Sequence, residues 1–326
     1  MSIIRIEGGK PLEGTISIHG AKNSVLPILA ASLLAEGETV IHNCPDLTDV
    51  DVAVRILSHL GCRVRREGEK LTVDSSTLER SEIPHELMRE MRSSVIFLGA
   101  MLARCGEAVL SRPGGCELGP RPIDLHLDAL QEMGTDIKEE GGNIYCKVDK
   151  LRGCRINLNL PSVGATENIM LAASRCEGTT IITNAAREPE IWDLQNYLRR
   201  LGVKVSGAGT PVVTIEGHGP VQSREHWVIP DRIVSATYLA ACAASGGHIQ
   251  LENVVPAHFA TVTDALSDMG CAINIGRSTV EIRAPRRLKA GRPIITRPYP
   301  GFPTDAQPPL MAASLKAEGT TVFVEN

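Results

Sequence analysis

The chain has 326 residues, a length that suits about two domains, with 34 basic against 38 acidic side chains and a net charge of −4. No positive field exists to hold a polyanion by counterion release, and aromatics, at 3%, are too few for a base-stacking platform, which sets nucleic acid aside as a partner. The start MSIIRIEGGKPLEG lacks a basic segment leading into an apolar one, and the longest apolar run, Val25 to Leu34, is about half the ~20 residues a bilayer span requires, so neither export nor a membrane span is expected.

In chain order, the first predicted helix opens at HGAKNS and runs through that apolar stretch to Gly37, where a β-branched run, ETVIHN, begins. The same sequence of helix, small turn and strand recurs at LARCGEAVLS, ASRCEGTTIITN, AASGGHIQLEN and SLKAEGTTVFVEN, with turn glycines Gly37, Gly106, Gly178, Gly247 and Gly319 spaced by roughly 70 residues. A second helix in each unit closes at Gly61, Gly134, Gly202 and Gly270 and leads into two strand-like runs split by a turn, as in CRVRREGEKLTV. With one strand ahead of the first helix the unit is βαβαββ, an α/β plan with parallel pairing in each βαβ portion.

The opening turns of the first-series helices carry the polar residues: Lys22 with Asn23, Arg92 with Ser93, Ser162 to Gly164 with Thr166, Asp231 with Arg232, and Thr304 with Asp305. Ser, Thr, Asp and Asn at such positions also serve as plain caps, the simpler account of Thr166 and Thr304. Lys22, Arg92 and Arg232 are different, because a cation at a helix N-terminus opposes the macrodipole and calls for an anion between them. Their convergence across a cleft predicts a small, multiply anionic substrate.

Between the second unit's strand and its second helix lies RPGGCELGPRPIDLHL, a glycine- and proline-rich loop with Cys116 between Arg112 and Arg121. Flanking cations favour a thiolate, so this cysteine is a candidate acid, base or nucleophile; the other eight read mostly as core thiols in a reduced compartment, there being no CxxC pair. His126 reads as a packing or capping residue. Glu188, Glu190 and Asp193 read as acids suited to the start of a helix. GGKPLEG lacks the ending of a P-loop, and neither HExxH nor GxSxG occurs.

The stretches HGAKNSVLPILAASLLAEG, PGGCELGPRPIDLHL, SVGATENIMLAAS, NAAREPEIWD, PDRI and YPGFPTDAQ, in this order, resemble the UDP-N-acetylglucosamine enolpyruvyl transferases, and the resemblance covers essentially the whole chain. It implies two inside-out α/β domains of three βαβαββ units each: residues 21–229 complete and carrying the cysteine loop, and 1–20 with 230–326 incomplete. Six units at the observed period run to roughly 420 residues, so the sequence reads as C-terminally truncated inside its fifth unit, with an active enzyme and an inactive fragment as the two readings left open.

The resemblance also implies a cytoplasmic reaction, the first committed step of peptidoglycan synthesis and so of cell-wall building, cell shape and division. The enolpyruvyl group of phosphoenolpyruvate passes to the 3-hydroxyl of UDP-N-acetylglucosamine and phosphate is released, with no metal or other cofactor. It assigns Cys116 as proton donor and target of the epoxide fosfomycin, Asp305 as base, and Lys22 and Arg121 as clamps on phosphoenolpyruvate. Asn23, Arg92, the run Arg121, Pro122, Ile123, Asp124 and Leu125, and Ser162, Val163 and Gly164 are assigned as substrate contacts, with Asp231 at the domain junction. Leu160 departs from the pattern, standing where many members carry a lysine near the diphosphate. A monomer is implied. The competing readings are a catalytically silent ligand-binding or interaction protein of this fold, and a relative of 5-enolpyruvylshikimate-3-phosphate synthase.

Overall fold

The computed structural model describes residues 3–91, 93–111, 123–217 and 219–325, so Arg92, Cys116, Arg121 and Pro122 lie outside the described residues. Two compact units form, Gly20–Ile229 and Met1–His19 with Pro230–Asn326.

Gly20–Ile229 contains three four-stranded sheets of one design. In each, a short strand lies parallel to a five-residue strand, which is antiparallel to the second arm of a hairpin. The third shows the plan most plainly: Arg155–Asn157 beside Thr179–Thr183, then Val212–Glu216, then Lys204–Ser206. Alternation drives this pairing, since Thr180, Ile182, Val213 and Ile215 turn inward while their neighbours face out. The sheet of the first unit takes its parallel edge from His226–Trp227, laid against Glu38–His42. The strand that precedes that unit's helix in the sequence, Glu13–Ser17, instead pairs with His248–Glu252 in the other unit.

Helices of the first series are the interior of this unit. In Lys22–Ala31 every residue from Ser24 is buried, and in Val163–Ala173 every residue from Ala165. A helix apolar on all sides belongs inside, with the sheets around it. The second-series helices Thr48–His59, Asp124–Glu132 and Pro189–Arg200 bury a single face. Close packing of the inner helices has a visible cost in sequence freedom: a Cβ on Gly99 would lie 2.2 Å from the Asn168 carbonyl oxygen.

Each second-series helix ends in the same Schellman motif, the glycine in the left-handed region bonding back to C2 and the next residue to C3. Gly61 N–H reaches Ser58 O and Cys62 N–H reaches Leu57 O; Gly134 and Thr135, Gly202 and Val203, and Gly270 and Cys271 repeat it. The first series is less uniform than the sequence suggests. Gly106 is a left-handed cap, but in the fourth unit the capping residue is Gly246 (φ 79°), not Gly247. Gly37 is left-handed yet lies beyond the helix end, after the turn Ser32–Leu34 and the strand Ala35–Glu36. The helix expected to open at Arg92 and Ser93 starts with a 3-10 turn, Ser94–Ile96, ahead of Phe97–Cys105.

The other unit repeats the sheet with Glu13–Ser17, His248–Glu252, Thr279–Arg283 and Ala272–Ile275. Its helices are Arg232–Ser245, Ala260–Asp268 and Gln307–Ser314, around a core that includes Leu239, Phe259, Leu266 and Leu310. Two short parallel pairs follow, Leu288–Lys289 with Ala317–Glu318 and Ile294–Ile295 with Phe323–Val324. No helix among the described residues is long and apolar enough to cross a membrane.

Candidate active site

Within Gly20–Ile229 the C-terminal ends of the three inner helices are tied together. Arg104, at the end of the second, pairs with Glu36 after the first at 3.0 Å, and Arg175, after the third, donates to the Leu34 carbonyl at 3.2 Å. The N-terminal ends therefore point to the opposite end of the unit, and with them Lys22, Asn23, Ser162, Val163 and Gly164. The start of Asp124–Glu132 joins that end: a Cβ on Gly164 would stand 3.1 Å from His126 Cε1. Asp124 is exposed, Leu125 half-buried and Ile123 buried. Of the sequence-assigned positions, Gly164 thus lies against the helix that follows Ile123 and begins with Asp124 and Leu125, while Lys22 and Asn23 begin another inner helix. Asp305 is placed separately, as an exposed carboxylate in the 3-10 turn Thr304–Ala306 of the other unit.

The charge problem posed by Lys22 is answered in part by the protein. Lys22 is the first residue of its helix, and its Nζ lies 3.1 Å from Asp49 Oδ2, at the start of Thr48–His59. Its helix has no side-chain cap and no acid in the first turn. Arg232 begins its helix behind a cap, Asp231, whose Oδ1 accepts from Ile233 and Val234 N–H at 2.8 and 3.0 Å, and its guanidinium lies 5.8 Å from the Tyr299 ring centroid. Ser162 caps the third inner helix, its Oγ accepting from Ala165 N–H at 3.3 Å. Thr166 is not a cap: inside that helix, it donates to Ser162 O at 2.7 Å and accepts from Ala186 N–H at 3.1 Å. Thr304 Oγ1 donates to Glu325 Oε1 and caps nothing.

His126 is buried, and Asn168 fixes it. The Asn168 amide accepts from Gly99 N–H at 2.7 Å and donates to Val95 O at 2.9 Å and to His126 Nδ1 at 2.7 Å. Sequence reasoning missed Asn168, although an Asn inside a helix buried on all sides is a signal, because a buried amide needs all its partners.

It placed Glu188 and Glu190 at a helix start, where they lie, but missed how deeply the acids here are buried. Glu188 and Glu190 open Pro189–Arg200, but Glu190 is buried, as is Glu167 from the third inner helix, and Glu188 is half-buried. Burial and the like charges of Glu190 and Glu188 push the Glu167 carboxyl well above its ordinary value. Asp193 is buried too, and binds Ser24, His226 and Ile229.

Of the eight described cysteines, none is in a disulfide, and burial raises every thiol: Cys44 and Cys271 to about 11, Cys62 and Cys146 to about 12. These are poor nucleophiles near neutral pH. Among the described residues, no group of three or more His, Cys, Asp or Glu is placed to hold a metal ion.

Comparison with known proteins bears on the whole chain. Residues 6–326 match the family model of EPSP synthase (3-phosphoshikimate 1-carboxyvinyltransferase). The chain is 49% identical to UDP-N-acetylglucosamine 1-carboxyvinyltransferase 2 of Caldanaerobacter subterraneus, over 100% of this chain and 78% of that protein. It is 48% identical to UDP-N-acetylglucosamine 1-carboxyvinyltransferase 1 of Symbiobacterium thermophilum, over 98% of this chain and 74% of that one. Among solved structures it superposes on the enolpyruvyl transferase NikO from Streptomyces tendae with TM-score 0.86 at 26% identity, over 98% of this chain and 76% of that chain. EPSP synthase from Acinetobacter baumannii shares the fold, with TM-score 0.71 at 21% identity, over 97% of this chain and 74% of that chain. These matches run the length of the chain, so the inactive-fragment reading finds no support in them. The chain belongs to the enolpyruvyl transferase family and is a transferase enzyme.

Proposed function

We propose that the chain moves the enolpyruvyl group of phosphoenolpyruvate to the 3-hydroxyl of UDP-N-acetylglucosamine, releasing inorganic phosphate, in the cytoplasmic supply of peptidoglycan precursors. What supports this reading is that two inner helices tied at their C-terminal ends begin with Lys22 and with the Ser162 to Gly164 turn, in a chain whose relatives at 48 and 49% identity bear that activity in their names. Helix N-termini with an added lysine suit phosphate and carboxylate ligands.

The chemistry needs an acid, a base and fixed positive charge. The sugar oxygen adds to C2 of phosphoenolpyruvate as C3 gains a proton; loss of a C3 proton with departure of phosphate then restores the double bond. Cys116 donates the proton to C3. Asp305, an exposed carboxylate, accepts the proton of the sugar hydroxyl. Lys22 and Arg121 hold the phosphate and carboxylate, where fixed charge is worth most as charge develops in the transition state. Arg92, Asn23, Pro122, Ile123, Asp124, Leu125, Ser162, Val163 and Gly164 hold the nucleotide sugar.

Phosphate release measured with both substrates tests the reading, with Cys116→Ser as control. Turnover by the parent chain that collapses in the variant supports it; no release from either points to a silent binding protein, and tight binding of shikimate 3-phosphate without the UDP-sugar points to the shikimate-pathway relative. Fosfomycin with UDP-N-acetylglucosamine present is expected to add covalently at Cys116 alone, since burial disfavours the thiolate at each of the other eight cysteines. Mass-spectrometric label on any other cysteine counts against the role.

A further inference from the structure

Asp193 sits inside the molecule, on the buried face of Pro189–Arg200. Its Oδ2 accepts from Ser24 Oγ at 2.5 Å and from Ile229 N–H at 3.3 Å, and its Oδ1 accepts from His226 Nε2 at 3.0 Å. The carboxylate can only accept, so the imidazole nitrogen is the donor. His226 Nδ1, also buried, has no hydrogen-bond partner among the described residues. Ser24 and His226 are as thoroughly buried as Asp193.

These bonds close a ring. Ala21 N–H bonds Ile229 O at 2.7 Å, and Ser24 N–H returns to Ala21 O at 3.1 Å. From Asp193 the path runs to Ser24, to Ala21, to Ile229 and back to Asp193, and the two residues bracketed between Ala21 and Ser24 are Lys22 and Asn23. A buried carboxylate costs several kcal/mol in desolvation, which an apolar residue of similar volume avoids, so stability is a poor reason for it. What the carboxylate supplies is placement and sign. It pins the third residue of a helix that has no side-chain cap, and it puts a negative charge against a first turn whose own residues include no acid.

We propose that Asp193 is a positioning residue for the transferase reaction: through Ser24 and Ile229 it fixes the helix end that presents Lys22 and Asn23 to the anionic substrates, with His226 securing the carboxylate from its other side. This rests on the assignment of Lys22 and Asn23 under the proposed function. The sequence places Ser24 and Asp193 169 residues apart, so neither local helix rule would join them.

Ser24→Ala removes the tether and leaves the other two bonds on Asp193. Asp193→Asn removes the charge; to keep all contacts its oxygen must face Ser24 and Ile229 and its amide must face His226, which then has to accept at Nε2 and carry its proton on the buried Nδ1. Amide exchange by mass spectrometry and substrate affinity are read on the full chain. In both variants exchange is expected to rise about tenfold in peptides covering Lys22 to Val25, with peptides of Arg232–Ser245 unchanged as internal reference. Dissociation constants for UDP-N-acetylglucosamine by calorimetry, and KM for phosphoenolpyruvate, are expected to rise about tenfold while kcat falls less than threefold.

Exchange that stays at the parental rate, or that rises with affinities and KM within twofold of parent, overturns the proposal, and a lowered Tm alone marks a purely structural role. A parent chain that binds neither substrate overturns the proposed function first and this assignment with it, an outcome distinct from either of those.

Discussion

Two helix ends in this molecule begin with a cation and solve the resulting electrostatic problem in opposite ways. At Arg232–Ser245 the helix is capped by its own N-cap residue: Asp231 accepts from two first-turn amides, Ile233 and Val234, and the guanidinium of Arg232 lies inside, by the Tyr299 ring. At Lys22–Ala31 the capping position is Ala21, whose methyl group accepts no hydrogen bond, and the acids come from other helices, Asp49 to the ammonium and Asp193 to the hydroxyl of Ser24. A self-capped end spends its donors on the fold. An end held from outside, through its third residue and an ion pair on its first, takes its negative charge from other helices. On the proposed function, one cation in the sequence pattern is thus a fold residue and the other a binding residue, and composition alone does not separate them.

The largest expected effect follows directly. Lys22→Met removes a fixed charge from the site and is expected to lower kcat/KM for phosphate release by about a thousandfold, roughly 4 kcal/mol, with little change in Tm. Arg232→Met is expected to do the reverse, lowering Tm while substrate KM values stay within about threefold of parent. Steady-state kinetics beside calorimetric melting decides it: equal catalytic losses in the two variants would erase the contrast between these helix ends.

Asp231→Ala probes the self-capped end. Loss of an N-cap costs about 1 kcal/mol, and a drop in Tm of roughly 2 °C is expected with affinity for UDP-N-acetylglucosamine preserved. Under Ser24→Ala the balance should invert, affinity falling more than stability. A common pattern for both variants would mean that the two ends are held by the same means after all.

The difference between the two ends was only partly legible in the sequence. Spacing exposed the repeat because a left-handed residue past a helix is strained for anything but glycine, so Gly61, Gly134, Gly202 and Gly270 recur where the Schellman turns recur. Where two glycines adjoin, as in Gly246 and Gly247, local sequence cannot say which is left-handed. Asn43, Asn184 and Asn253 carried a further signal that went unused. Each has positive φ and donates its side-chain amide to the carbonyl just beyond its sheet's parallel edge strand: Val228, Leu158 and Ile18. In the second unit Arg112 stands at the matching place, where the cysteine loop begins. Asp193 was read as an acid near a helix start because that rule is local; its i, i+4 relation to Tyr197, on the apolar face, was the evidence that it points inward. His226 lies on a strand of two residues, too short for any periodicity to announce.

Acids brought in from a second helix also set a pH dependence. Glu167 keeps its proton in the folded chain above the ordinary 4.5, because it is buried and faces Glu190 and Glu188. As pH rises past that value the unfolded chain loses this proton and the folded chain retains it, so stability falls with rising pH until the folded carboxyl ionises. Glu167→Gln imitates the protonated form and is expected to flatten that slope and raise Tm by about 2 °C at pH 8, roughly 1 kcal/mol. Melting at pH 5 and pH 8 checks the sign; a parent whose Tm rises over that interval, with a Gln variant less stable at pH 8, would contradict it.

The smallest effect concerns the third inner helix, which is capped by Ser162 and so resembles the Arg232 end in spending a side chain on its own amides. Two residues earlier, Leu160 is exposed, a hydrophobic side chain on the approach to the Ser162 to Gly164 turn, at the place where the resemblance puts a lysine beside the diphosphate. Leu160→Lys is expected to tighten UDP-N-acetylglucosamine binding about threefold at low ionic strength, since an exposed ion pair is worth only ~0.5–1 kcal/mol. The gain should shrink as salt shortens the screening length, whereas the losses in Ser24→Ala should not, because its tether is buried. Calorimetric titration of both variants at low and high salt therefore separates a charge added at the surface from a geometry held in the core. If the Ser24→Ala deficit faded with salt as the Leu160→Lys gain does, the ring around Lys22 and Asn23 would be acting through solvent-screened charge rather than by fixing the helix end.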